Sequence, residues 1–226
     1  MNRRDFLSRV IPAVALGGTL VPGALRAGPE PLTRVAPAAF RRGSLRIPAT
    51  LQPGAFASAR GDDARYHALV HEEGGAASKA LLTTPTSDQE IARVLREFGA
   101  VDGGGIPMSA WNLRRIPMIP PPNSRVQGSP VRILVEWSGW ADPRPLGDLF
   151  QDPGGRGVRL RFGGNEDQNH FWDSGCVACL FSCPGGVISN DRYTIRDHMR
   201  GATEFLPAED LPADGTRVSV VIELEA

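Results

Sequence analysis

The segment His170-Phe-Trp-Asp-Ser-Gly-Cys-Val-Ala-Cys-Leu-Phe-Ser-Cys-Pro-Gly-Gly186 constrains this chain more than any other. It holds all three cysteines of the sequence, Cys176, Cys179 and Cys183, in a C-x2-C-x3-C-P run. Two residues between thiolates let a backbone wrap a turn around one centre, and zinc and iron–sulfur sites use such spacings. The run therefore reads as an iron–sulfur or metal site, with zinc as the alternative to a cluster. The plainer reading is a Cys176–Cys179 or Cys179–Cys183 disulfide with one spare thiol, and the plainest is three inert buried thiols. A further functional reading is thiol–disulfide chemistry, with Cys176 or Cys179 as nucleophile.

Three thiolates leave one position open on a tetrahedral ion or a cubane cluster. Asp173 stands three residues before Cys176, in the register a first cysteine would take in a bacterial ferredoxin run. His170 is close enough to fold back as an imidazole ligand. These two lead the candidates for the fourth ligand, and distant His67 or His71, or a water, complete the set. Asp173 has a bland role too, as a cap on the turn entering the run. After the third cysteine, Pro184 fixes the backbone angle, and Gly185 and Gly186 let the chain pass close to a bulky centre. An ordinary turn would use the same residues.

His67 and His71 are four apart, beside Glu72 and Glu73, and in a helix or strand they would share a face. A two-histidine metal site is thus open, although the order is not that of a zinc protease. His198 reads as a surface residue. Gly163-Gly-Asn165 reads as a turn, and Trp137, Trp140 and Trp172 as core and rim. No G-x-S-x-G elbow and no P-loop is present.

Arg3-Arg4-Asp-Phe-Leu7 precedes an apolar run from Val10 to Leu25 that Pro12, Gly17, Gly18, Pro22 and Gly23 interrupt. A membrane span needs roughly 20 predominantly apolar residues, so residues 1–27 read as a signal peptide of the twin-arginine type. That route carries proteins already folded, often with a metal inserted, and it implies a periplasmic location with no stable membrane span after cleavage. Without residues 1–27 the chain has 21 basic and 24 acidic side chains, a balance that gives no basic face for nucleic acid. An odd number of cysteines in an oxidising compartment leaves a thiol over unless one centre takes all three.

Residues 28–61, rich in Pro, Ala and Arg, read as a flexible linker with one edge strand around Ser44–Pro48. Residues 62–226 read as the folded domain. Arg65–His71 has strand character, and a short helical turn is expected around Ala77–Leu82. Ser87-Asp-Gln-Glu90 is a capping box, and Ile91, Val94, Leu95 and Phe98 make a helical stripe that Gly99 ends. Val131–Trp137, Gly157–Phe162, Val187–Ser189 and Thr216–Leu224 read as strands. The fold class expected is α+β, predominantly strands with one or two packed helices and the cysteine loop between strands.

Three motifs together carry a family resemblance. They are Arg161-Phe-Gly-Gly-Asn165, Trp172-x-Ser-Gly-Cys176-x2-Cys-Leu-x-Ser-Cys-Pro-Gly-Gly186 and Tyr193-Thr-x-Arg-Asp197. With Ala80-Leu-Leu-Thr-Thr and the helix ending Phe98-Gly-Ala upstream, the chain resembles the YdjY-like family of exported bacterial proteins from about Ala64 to Leu224. The family has been described as ferredoxin-type. The resemblance implies an iron–sulfur or metal-ligand role for Cys176, Cys179 and Cys183, and no reaction. Electron transfer with a redox partner protein is the function expected if the site holds an iron–sulfur cluster.

Overall fold

A computed structural model of the chain describes residues 39–41, 43–61 and 65–225. The expected signal peptide and the start of the linker lie outside the described residues. Eight strands build the body of the fold: β1 (Ser44–Leu51), β2 (His67–His71), β3 (Leu82–Thr84), β4 (Pro130–Glu136), β5 (Leu160–Phe162), β6 (Cys176–Cys179), β7 (Ile188–Asn190) and β8 (Thr216–Leu224). They run in the order β1-β8-β4-β5-β7-β6-β2-β3, and β3 pairs back onto β1 through Thr83↔Thr50 and Leu82↔Leu51. The sheet therefore closes into an eight-stranded barrel. Closure satisfies edge N–H and C=O groups that an open sheet would leave unpaired.

This corrects the expectation of an α+β fold with packed helices. The helices are short attachments: α1 (Pro53–Ser58), α2 (Asp88–Glu97), α3 (Met108–Leu113), α4 (Glu166–Trp172) and α5 (Ile195–Met199). The cysteine segment is also not a simple loop between strands, because Cys176 and Cys179 bound strand β6.

One side of the barrel is long and regular. β8 pairs antiparallel with β1 from Thr216↔Leu51 to Glu223↔Ser44 and with β4 from Ser219↔Glu136 to Leu224↔Val131. Leu45, Ile47, Ala49 and Leu51 alternate inward on β1, as do Val131, Ile133 and Val135 on β4 and Val218, Val220 and Ile222 on β8. On the outer face, Arg46 binds Glu136 and Ser219, and Arg132 binds Glu223. This is the alternation expected of a sheet with one face in the core. Ser44–Leu51, expected as linker with an edge strand, is thus an interior strand of the barrel. Pro48 fits there because β3 joins β1 only from Thr50 onward, and the Thr84 hydroxyl donates to the Pro48 carbonyl at 2.7 Å.

The helix over 88–97 forms as its sequence predicts. The Ser87 hydroxyl accepts the Glu90 N–H at 3.1 Å, and Ile91, Val94 and Leu95 are buried. α2 lies against α4 and β6, the elements that carry the cysteine segment. Among the described residues no helix is long and apolar enough to cross a membrane.

Candidate metal centre

β2 and β6 pair antiparallel, but not evenly. The register runs His67↔Cys179, Leu69↔Ala178 and Val70↔Cys176, so each strand carries one extra residue, Ala68 on β2 and Val177 on β6. In a regular strand, residues three apart face opposite ways. The irregularity breaks that parity, as bulges do when they re-aim a side chain. Cys176 and Cys179 consequently meet, with 3.0 Å between their Sγ atoms. His67 Nδ1 stands 3.5 Å from Cys176 Sγ. The three potential ligand atoms lie within 4.8 Å of one another, and all three side chains are buried.

Cys183 follows in the turn after β6. Its sulfur accepts the Gly185 N–H at 3.3 Å, and it lines the same cavity as the other three residues. The two glycines after it are required by close approach. A Cβ at Gly185 would sit 2.7 Å from the Trp172 ring, and one at Gly186 would sit 3.0 Å from the Cys179 Cβ. Both close approaches are to protein atoms, where the sequence suggested a bulky bound centre.

Two asparagines that the sequence did not mark as site residues hold the segment in place, Asn169 and the Asn165 expected only in a turn. Asn169 on α4 is buried, donates to the Cys176 carbonyl at 2.8 Å and accepts the Cys176 N–H at 3.2 Å. Asn165, at the start of α4, donates to the Cys183 and Gly186 carbonyls at 3.0 and 3.2 Å and accepts the Ile106 N–H. Their spacing of four puts both on one helix face. That spacing was the available signal, hidden because Asn165 also completes a Gly-Gly-Asn turn. Such clamps on a ligand's backbone fix its orientation, the role outer-shell groups take around metals.

His170 and Asp173 are not brought to the sulfurs. Both are exposed and line a separate depression with His71, Glu73 and Asp88. Asp173 ends α4 in the left-handed region at φ 51°, and its carbonyl accepts the Gly75 N–H. Strand pairing instead delivers His67, from over 100 residues earlier in the chain. The extra residue in β2 also separates His67 from His71, which lines the depression of His170 and not the cysteine cavity. His198, expected on the surface, is stacked on Phe181 with ring centroids 4.7 Å apart, and Phe181 in turn meets Tyr66 edge-on next to His67.

The electrostatics split the first two thiols. The Cys179 hydrogen bond, opposed by burial and aided by His67, holds Cys176 down to about 6. Cys179 is pushed well above the usual thiol range by its hydrogen bonds to Cys176 and Cys183 and by burial. The pair is thus arranged as a thiolate accepting from a thiol. Thiolates are the metal-binding form, so half of the pair is already prepared. Sulfur donors with one imidazole are a soft set that suits zinc among other metals. Among the described residues, His67, Cys176 and Cys179 are the one group of three or more such side chains that converges.

Residues 41–223 match the YdjY domain family. The Escherichia coli (strain K12) protein YdjY, described as uncharacterized, is 30% identical over 165 residues, which are 72% of this chain and 68% of that protein. No solved structure matches the chain.

Proposed function

The chain belongs to the YdjY domain family, and we propose that it is a metal-binding protein whose Cys176, Cys179, Cys183 and His67 hold a single zinc ion. The observation that carries this reading is the convergence of His67 with Cys176 and Cys179 across an irregular strand pair. A tetrahedral ion with bonds of about 2.3 Å to sulfur sets its sulfurs about 3.8 Å apart. The 3.0 Å contact between Cys176 and Cys179 opens to that spacing with a shift of under about 1 Å. A cubane iron–sulfur cluster suits the geometry less well, because each thiolate then meets a different iron and the sulfurs must spread farther. Electron transfer and a redox partner go with the cluster; a zinc ion calls for neither. When bound, zinc supplies a cross-link between β2, β6 and the turn after β6. The chain's own residues prepare the site: Asn169 and Asn165 orient the cysteine backbone, and the bulged pairing aims the sulfurs at His67.

The leader with Arg3 and Arg4 supports export to the periplasm in a folded, metal-loaded state. Cell fractionation of the intact chain against its Arg3→Lys, Arg4→Lys variant checks this, and unchanged export of the variant contradicts it.

Protein purified without oxygen and without added chelator is expected to contain one zinc per chain and no acid-labile sulfide. Stoichiometric iron with sulfide replaces the zinc reading by a cluster. Absence of any bound metal, with three titratable thiols, contradicts both. A second reading is favoured by the short Cys176–Cys179 contact together with the depressed Cys176: a dithiol that cycles with a disulfide. It requires Cys176 to be alkylated far faster than Cys183 in metal-free protein.

A further inference from the structure

Two histidines and three carboxylates that the sulfur site does not use line one depression of about 390 Å³. They come from three elements. His71 ends β2 and Glu73 lies in the turn after it, Asp88 opens α2, and His170 and Asp173 stand at the end of α4. No lysine or arginine lines the depression, so its surface is negative and draws cations. The backbone around it is tied together. The His71 N–H donates to the Gly175 carbonyl and the Gly75 N–H to the Asp173 carbonyl, each at 2.7 Å. The turn after β2 is thereby held against the segment leaving α4.

Exposed acids cluster commonly without binding anything, and Asp88 is what sets this depression apart. Its residue is 8% exposed, and among the described residues its carboxylate has no hydrogen-bond or ion-pair partner. The N-terminal end of α2 favours a negative side chain there, but it supplies no donor to the Asp88 oxygens. A buried charge is costly unless it is paired or holds a metal. The His71 and His170 rings have no hydrogen-bond partner among the described residues either. A cation shared by the carboxylate and the two rings satisfies all three.

We propose that this depression binds one divalent transition-metal ion through His71, Asp88 and His170, with Glu73 and Asp173 adding negative charge. Imidazole with carboxylate is a harder donor set than the thiolates, and it suits manganese, iron or zinc. No three of these ligand atoms lie within 4.8 Å of one another, so binding draws the site together. Asp88 is the fixed point, and the exposed His170 and half-buried His71 turn toward it about their own side-chain bonds. Three protein ligands leave the remaining positions to water. The bound ion links β2, α2 and α4 and shares no ligand with the sulfur site.

The test uses the full chain dialysed to one zinc per chain and titrated with Mn²⁺, followed by loss of the free-ion electron paramagnetic resonance signal. Manganese is chosen because it does not displace zinc from thiolates. Expected are one Mn²⁺ per chain and spin-echo modulation from imidazole nitrogen. Asp88→Asn and His170→Gln are each expected to weaken Mn²⁺ binding about tenfold or more while zinc stays at one per chain. His170 is exposed, so its variant keeps the fold, and it should also lose part of the nitrogen modulation. A purely structural role for Asp88 would lower stability and leave Mn²⁺ affinity unchanged. His67→Ala is expected to leave Mn²⁺ affinity unchanged, which separates the two sites. No saturable binding up to about 1 mM Mn²⁺, or binding that survives both Asp88→Asn and His170→Gln, overturns the inference. Failure of the zinc reading shows separately, as absence of zinc in the purified protein, and the same Mn²⁺ titration then decides this site by itself.

Discussion

The two halves of the barrel wall are built differently. On β1, β8 and β4 the strands are seven to nine residues long, pair without interruption, and put apolar residues inward and charged pairs outward. On β6, β2 and β3 they are three to five residues long, slip register twice, and are buried almost throughout. The regular half gains its stability from repetition. The irregular half gives up ladder regularity and thereby gathers two sulfurs and an imidazole that no even register could bring to one side. Fold and site are thus assigned to separate parts of one closed sheet, and substitutions in the two parts should have separable consequences.

The sharpest break between them is His67→Ala. It is expected to abolish stoichiometric zinc, measured by metal analysis after dialysis, while the far-ultraviolet circular dichroism of the barrel persists. Retention of zinc at one per chain would move the fourth ligand elsewhere. The converse change, Ile133→Ala on the regular half, removes a buried side chain that β8 packs around. It is expected to cost about 2–5 kcal/mol in urea unfolding and leave zinc stoichiometry intact. Asn169→Ala tests how helix α4 holds the irregular half. Losing two hydrogen bonds to Cys176 is expected to lower zinc affinity about 10–100-fold in a chelator competition, with a smaller loss of stability. Unchanged affinity would show that the strands alone aim the sulfurs.

The smallest effect concerns acid. Burial pushes the Asp191 carboxyl up, but hydrogen bonds from Arg159 and Arg161 outweigh it and leave the group below the usual range. A carboxyl depressed in the folded state contributes stability that is fully present above its unfolded value, about 3.9, and is lost as pH falls through its folded value. Asp191→Asn should therefore lower stability at pH 7 and flatten the decline below pH 4, in urea melts at both conditions. A decline as steep as the parent's would assign it to other carboxylates.

The same division explains what the sequence could disclose. Val131–Glu136 and Thr216–Leu224 alternate over enough residues to be read directly, and the capping box at Ser87 announces α2. Ser44–Leu51 alternates as well, but Pro48 and the neighbouring Pro- and Ala-rich stretch masked it. The strands expected over Gly157–Phe162 and Val187–Ser189 form as β5 and β7, but β3, three residues long, is too short for a period to register and follows directly on the helical turn expected around Ala77–Leu82. Barrel closure depends on two residue pairs between β1 and β3, a long-range event with no local signature. The cysteines were legible because their type and spacing are rare. Their partner His67 was legible only as a distant candidate, because nearness along the chain favoured His170 and Asp173, while strand pairing favours His67.

X-ray absorption at the zinc edge of the purified protein tests the convergence most directly. The account expects sulfur neighbours at about 2.3 Å together with one imidazole nitrogen at about 2.0 Å. A shell of oxygen and nitrogen alone, or of sulfur with no imidazole, would contradict it.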